Sequence, residues 1–402
     1  MNDDIYWIWL LKCFGSATAI DDIIQYFGSA RGLYEAGTAE WRLSGLLSAK
    51  QIAALSKWSP SQSGDVLKAC RENGWEILTP QSIYYPQRLR ELRNFPPVLF
   101  LQGDKEVLLR DVKLSMVGTR RASNYGLRVA RLLAEALSEA GAVVVSGGAL
   151  GVDSAAHAGA LQAHGKTIAV LGCGLGTDYL HENAPLRKEI SENGALISEF
   201  LPFSPASRTT FPLRNRIISA LSLGTVVVEA GEKSGSLITA RFALEQGRDV
   251  FAVPGDIISS AFTGANKLIR DGAKPVFTPL DILEEYVYTY PEELNTANAD
   301  RTLGEMLRQS GQVQAAQRTV HTAHNGTTGK THMPNTAPPS VPLPEAASDT
   351  AKTVYAVLET AKHIDEISEK TGLPVSACLG ALTELELYGC VQLAEGKKYK
   401  KI

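Results

Sequence analysis

Basic excess, long apolar runs and paired cysteines are all missing from this chain. Lys and Arg number 40 against 43 Asp and Glu, a net charge of −3, so any nucleic-acid surface has to be local and not a property of the whole field. No apolar run approaches the roughly 18 residues of a membrane span, and the first residues, Met1-Asn2-Asp3-Asp4, are acidic where a leader would be basic. The five cysteines lack C-x-x-C spacing, which excludes a disulfide framework or zinc site and fits a reducing compartment. A soluble, cytoplasmic protein without metal or membrane contact is expected. No G-x-x-x-x-G-K-[ST] occurs, so ATP hydrolysis is not expected, and no G-x-G-x-x-G follows the strand ending at Val117, which disfavours a dinucleotide oxidoreductase.

What is present is a repeating alternation. Leu114 to Val117, Val143 to Ser146, Thr167 to Leu171, Thr225 to Glu229 and Asp249 to Val253 are near-continuous apolar runs, with Ala195 to Ser198 a weaker sixth. Continuous hydrophobicity means burial on both faces, as in a parallel sheet covered by helices. Helical spacing falls between the runs at Tyr125 to Ala140, Ser154 to His164, Leu186 to Glu192, Arg214 to Leu223 and Leu237 to Gln246. The expected class is α/β, an extended Rossmann-like, doubly wound, mostly parallel sheet.

Glycine follows nearly every strand: Gly118, Gly147-Gly148, Gly172 and Gly174, Gly231 and Gly235, Gly255. In a parallel sheet these turns collect at the carboxyl edge, where backbone N–H groups meet a ligand. Cations join them: Thr119-Arg120-Arg121 after the first strand, Lys233-Ser234-Gly235 after the fifth, and the acid-free stretch Ser207 to Ser222 with Arg208, Arg214 and Arg216. Phosphodiesters need such donors at intervals, and single-stranded bases also need a stacking surface. Arg208 and Phe211, read as lying outside the helix, supply one of each, unless Phe211 is an aromatic cap tucked into the core. Arg214 and Arg216 stand two apart on a helix, roughly 200° around its axis, so one is expected to form a structural ion pair with Glu199 or Glu229.

Taken together, Met116 to Arg121, Ser146 to Asp153 with Ala156-His157, Phe211-Pro212-Leu213-Arg214-Asn215-Arg216, Glu229-Ala230 with Ser234 to Ala240, and Phe251 to Gly255 resemble the DNA-processing protein A (DprA/Smf) family, over roughly residues 85 to 286. The resemblance implies a non-catalytic protein that binds single-stranded DNA, protects it during natural transformation, loads the RecA recombinase and forms homodimers, with no cofactor. It implies DNA contacts at Arg120, Arg208 and Phe211, the last by stacking. The full expected DNA-binding set is Gly118, Thr119, Arg120, Arg121, Ser146, Gly147, Gly148, Arg208, Phe211, Arg214, Asn215, Lys233, Ser234 and Gly235. The family's Tyr-Pro-x-x-Asn, often with lysine third, here reads Tyr179-Leu180-His181-Glu182-Asn183, without the proline or the charge. The competing reading is a nucleotide-processing phosphoribohydrolase on a related fold, with Asp153 or Glu229 as its acid; its Pro-Gly-Gly-x-Gly-Thr signature is missing.

Three other regions flank this domain, which is expected at residues 63–288. Residues 1–62 carry helical spacing at Tyr6 to Phe14, Ala19 to Phe27, Ala30 to Ala36 and Ala49 to Trp58, a SAM- or helix-hairpin-helix-like contact module or an accessory bundle. Residues 289–348 read as a flexible linker with a short helix at 301–307; His321, His324 and His332 in it have no metal-ligand spacing. Residues 349–402 resemble a winged helix, with helices at Ala351 to Glu359, Ile364 to Thr371 and Val375 to Leu387 and a basic wing at 391–402. Either Lys397, Lys398, Lys400 and Lys401 contact a duplex, or the module binds protein, since Val375 to Leu387 holds Glu384 and Glu386 but no Lys or Arg.

Overall fold

A computed structural model describes residues 3–297, 299, 347–358, 360, 362–388, 390–394 and 398–401. The expected short helix at 301–307, His321, His324, His332 and Lys397 lie outside the described residues, as does most of the expected linker. The chain divides into two compact units, residues 1–320 and 321–402.

The first unit opens with helices α1 (Asp4–Phe14), α2 (Asp21–Phe27), α3 (Ala30–Leu43), α4 (Ala49–Lys57) and α5 (Gly64–Asn73). Ser29 caps α3 by accepting the Gly32 N–H, and Ser48 with Gln51 forms a capping box on α4. The helical run expected to stop at Ala36 continues to Leu43 across a break at Gly37, whose φ of 73° a side chain disfavours. Trp7, Trp9, Leu10, Leu33 and Leu55 share one core with Phe95, Val98 and Phe100, so these helices pack directly on the sheet.

Strand β1 (Glu76–Leu78), helix α6 (Gln87–Arg90) and strand β2 (Leu99–Gly103) lead into the main alternation. It runs β3 (Lys113–Val117), α7 (Asn124–Glu139), β4 (Val143–Ser146), α8 (Val152–Gln162), β5 (Thr167–Val170), α9 (Ala184–Asn193), β6 (Ala195–Ser198), α10 (Thr210–Leu221) and β7 (Gly224–Val227). It closes with α11 (Ser236–Glu245), β8 (Asp249–Ala252), α12 (Thr263–Arg270), β9 (Lys274–Pro275) and α13 (Leu280–Leu283). The nine strands lie in the order β1-β2-β6-β5-β4-β3-β7-β8-β9. All neighbours from β6 to β9 are parallel, while β2 is antiparallel to both β6 and β1. The weak sixth run is therefore a full strand of the sheet.

Alternate strand residues feed two cores. Leu114, Met116 and Val144 pack with Leu133, Leu137 and Ala156 of α7 and α8; Val117, Val143 and Val145 pack with Ile217, Leu221 and Ala240 of α10 and α11. Strands β4 to β6 step away from β3 on one side and β7 to β9 on the other. The order reverses at β3, and the crevice outside the carboxyl ends of β3 and β7 is where such sheets bind ligands.

The second unit holds helices α14 (Asp349–Val357), α15 (Ile364–Thr371) and α16 (Val375–Leu387) with antiparallel strands β10 (Lys362–His363), β11 (Val391–Ala394) and β12 (Lys398–Lys401). This is the expected winged helix, with a core of Val354, Ile367, Leu382 and Leu385. Glu384 of α16 accepts from Ser348 N–H and Oγ at 2.8 and 2.6 Å, so it caps α14 instead of facing a groove. Lys398 and Lys400 are exposed, whereas Lys401 lies over the Tyr355 ring at 4.2 Å. No helix among the described residues is long and apolar enough to cross a membrane.

Candidate nucleic-acid interface

The loop after β3 is held by its own backbone. Thr119 donates its N–H to the Glu229 carbonyl at 2.8 Å and accepts from Val152 N–H at 3.2 Å. Gly118 has no room for a side chain, since a Cβ there would stand 2.4 Å from Val152 Cγ2. Ser123 then caps α7, and its N–H and Oγ both donate to the buried Glu229 carboxylate, at 3.1 and 2.6 Å. Arg120 and Arg121 project from this fixed turn and are exposed.

Beside it, the loop after β4 is organised from below. Arg214, 4 % exposed, donates Nη1 to the Gly147 carbonyl at 2.7 Å and also to the Val170 carbonyl, joining the ends of β4 and β5. Asp153, buried next to Gly147, accepts from Ala149 N–H at 3.4 Å. Burial pushes the Asp153 carboxyl up, against the pull of Arg214 and the hydrogen bonds it accepts, and burial lowers the Arg214 guanidinium. Asn183 closes the back of the loop, donating to the Gly148 carbonyl at 3.1 Å and to Ser154 Oγ at 2.9 Å.

Phe211 lies in the first turn of α10 and not outside the helix as the sequence suggested. Its ring rests on Gly172, where a Cβ would approach Cδ1 to 2.6 Å. The Arg120 guanidinium lies 4.6 Å from the centre of that ring, and Tyr179 packs against it at 5.3 Å and 43°. Arg120 Nη1 also reaches the Tyr179 hydroxyl at 3.5 Å. The cation–π contact, worth about 0.5–1 kcal/mol at an exposed site, fixes a positive charge beside an aromatic ring.

Arg120, Phe211, Asp153 and Arg214 are among the residues that line one cleft of about 430 Å³, with Gly172 and Tyr179 packed against Phe211 outside that lining. Of the expected set, Gly118, Thr119, Arg120, Arg121, Phe211, Arg214, Asn215, Ser234 and Gly235 come together there. Asn215 donates to the Gly235 carbonyl at 3.4 Å, tying α10 to the loop after β7. Ser146, Gly147 and Gly148 lie buried behind the cleft wall, and Arg208 and Lys233 are exposed outside it. Asp153 is the one acid among the lining residues, and it is buried, so the mouth is electropositive. Arg216 is the arginine that forms the ion pair, with Glu199 at 2.5 Å. His181 points away, 87 % exposed and 3.3 Å from Asp178. Sequence reasoning missed Tyr179 as a ring partner; the signal was an aromatic closing the glycine-rich turn after β5.

The geometry is that of a donor-rich cleft with an aromatic ring at the switch point of the sheet. Residues 76–287 match the family model of DNA recombination-mediator protein A, and residues 337–397 match that of the DprA winged helix domain. Protein Smf of Escherichia coli (strain K12) is 36% identical over 321 residues, covering 80% of this chain and 76% of that one. The DNA processing protein DprA of Bacillus subtilis (strain 168) is 43% identical over 220 residues, 55% of this chain and 74% of its own. The X-ray structure of DprA from Streptococcus pneumoniae superposes with a TM-score of 0.62 at 33% identity, covering 71% of this chain and 99% of that chain. With both family models matched in order along the sequence, the chain belongs to the DNA recombination-mediator protein A family, also named DprA or Smf.

Proposed function

We propose that this chain binds single-stranded DNA along the carboxyl edge of its sheet, as a cytoplasmic, non-catalytic homodimer that protects the strand during natural transformation and loads RecA onto it. One observation carries the reading: Arg120 and Tyr179 both contact Phe211 at the mouth of the cleft, so a cation and a ring are offered side by side. A phosphate meets Arg120, Arg121 and the loop N–H groups, a base meets Phe211, and Arg208 and Lys233 extend the cationic path. Arg214, Ser146, Gly147 and Gly148 act by holding the loops. For the homodimer, the exposed Ile257 and Ile258, at 89% and 90%, offer an apolar contact.

The acids that a phosphoribohydrolase would need are committed elsewhere. Glu229 spends both oxygens on Ser123, and Asp153 is buried beneath the Gly147 loop. Release of free base from nucleoside monophosphates, abolished in Glu229→Gln, is the result that would favour the enzyme. Filter binding of a labelled single-stranded oligonucleotide decides the main reading: affinity falls in Arg120→Ala and in Phe211→Ala. Unchanged affinity in both overturns the site, and no binding by the parent chain overturns the function. RecA-promoted strand exchange, with and without the chain, tests loading.

A further inference from the structure

A second aromatic pair packs against the same loop that underlies Phe211. Between Gly172 and Tyr179 the chain turns over the carboxyl end of β5, and its glycines are spent on neighbours. Gly172 lies beneath Phe211, whereas a Cβ at Gly176 would stand 2.5 Å from Phe203 Cε1 and 2.8 Å from Trp75 Cη2. Phe203 and Trp75 form an edge-to-face pair, 6.0 Å between centroids and 61° between planes. Trp75 is half-buried in the core of the helical module, yet Phe203 remains 64% exposed.

This exposure is held in a rigid frame. Gly174 N–H donates to the Ser204 carbonyl at 2.9 Å, Gly176 N–H to the Pro202 carbonyl at 2.8 Å, and Thr177 Oγ1 to the Ser204 carbonyl at 2.9 Å. Gly174 has no space for a Cβ, which would meet the Leu201 and Pro202 carbonyl oxygens at 2.2 Å. The segment that presents Phe203 is thus sewn to the loop that floors Phe211. Arg208, exposed and with no partner among the described residues, follows on the same segment five residues later.

We propose that Phe203, braced by Trp75, is a second base-stacking platform on the path of the strand, a reading that rests on single-strand binding at Phe211. The occupant is the bases of the same strand. A pinned ring with one open face suits any base, because every base has a π-face. Its loop is continuous with the floor of the cleft, and Arg208 supplies a phosphate partner between the two rings in sequence. Gly176 follows Gly172 by four positions, at most about 14 Å of backbone. A strand rising about 3.4 Å per nucleotide crosses that distance in about four nucleotides.

The test is fluorescence anisotropy with oligo-dT of about 2 nucleotides, too short to span both rings, and of about 16, on the full chain. Phe203→Ala is expected to bind the short oligomer like the parent and to lose about 5- to 150-fold on the long one, the loss of one stacked base. Phe203→Tyr restores the long-oligomer affinity. Long oligomer quenches the emission that is removed in Trp75→Phe. Equal affinity of Phe203→Ala and parent for the long oligomer overturns the platform, as does an equal loss on both lengths. A changed sedimentation coefficient with DNA affinity intact assigns Phe203 to a protein contact and also overturns it. Failure of the parent chain to bind either oligomer removes the Phe211 reading itself, a distinguishable outcome.

Discussion

Arg216 binds Glu199 and Ser16 with the same nitrogen. Its Nη2 lies 2.5 Å from Glu199 Oε2 at the end of β6 and 2.6 Å from the Ser16 carbonyl between α1 and α2, with the two charged side chains 3% and 0% exposed. One arginine of the helix that carries Phe211 therefore clamps the amino-terminal helices to the sheet. Arg216→Ala leaves Glu199 buried without its partner and is expected to cost about 3–5 kcal/mol, read by urea denaturation. Because Arg216 Nε and Nη1 and Glu199 Oε1 have no partners among the described residues, Arg216→Met with Glu199→Leu should recover most of that loss.

Gly172 separates stability from binding. Its Cβ would strike the Phe211 ring at 2.6 Å, so Gly172→Ala displaces the ring without touching a cation. Oligonucleotide affinity should fall by an amount close to that of Phe211→Ala, about 1–3 kcal/mol, while the melting temperature moves by a few degrees. Affinity at the level of the parent would show that the position of the ring is immaterial.

Arg208 and Lys233 test the electrostatic part. Both are exposed outside the cleft, so in the proposed reading they contribute through phosphate charge alone. Each change to Ala should lower the slope of log affinity against log salt by about 1, with little dependence on base sequence. Phe211→Ala, which removes a ring, should weaken binding at every salt concentration and leave the slope in place.

Acid should destabilise the fold through His157. Its Nδ1 stands 2.8 Å from Thr167 Oγ1, and since that hydroxyl already donates to the Val144 carbonyl, Nδ1 carries the proton and donates. Burial, with Arg214 nearby, pulls the imidazole from 6.5 down to about 3. Below pH 6.5 the unfolded chain takes up a proton that the folded one refuses, so stability is lost from there towards about pH 3, at about 1.4 kcal/mol per unit. Glu199 acts in the opposite sense: burial raises its carboxyl from 4.5 to about 7 against the pull of Arg216, so its contribution declines as pH rises through that window. The difference between parent and His157→Gln cancels the Glu199 effect. Parent stability minus that of the variant, followed by thermal melts, should fall by about 1.4 kcal/mol per unit as pH drops from 6 to 4.

Six of the seven parallel strands, β3 to β8, were legible because each is a short, mostly apolar run buried on both faces, repeated between helical segments, whereas β9, Lys274–Pro275, carries no such run. The antiparallel direction of β1 and β2 was not legible, since five residues such as Leu99 to Gly103 read alike in either sense. Helical phase separated Arg214 from Arg216 but left two acids as partners for one of them; the choice of Glu199 depends on the tertiary fold bringing Arg216 to the residue that follows β6. The start of that helix was misjudged because Pro212 looks like a break, whereas in a first turn its missing N–H costs nothing. Tyr179 was overlooked for a plainer reason. It meets Phe211 across thirty-two residues, and no local spacing rule reports such a contact.

The margins of the sheet constrain how copies of the chain can join. β9 is two residues long and ends in Pro275, which has no N–H to donate, and the opposite margin, β1, is three residues long. Neither rim offers a ladder for an incoming strand to extend. The self-association proposed above would therefore rest on side-chain surfaces, which a single substitution can disrupt without disturbing the sheet.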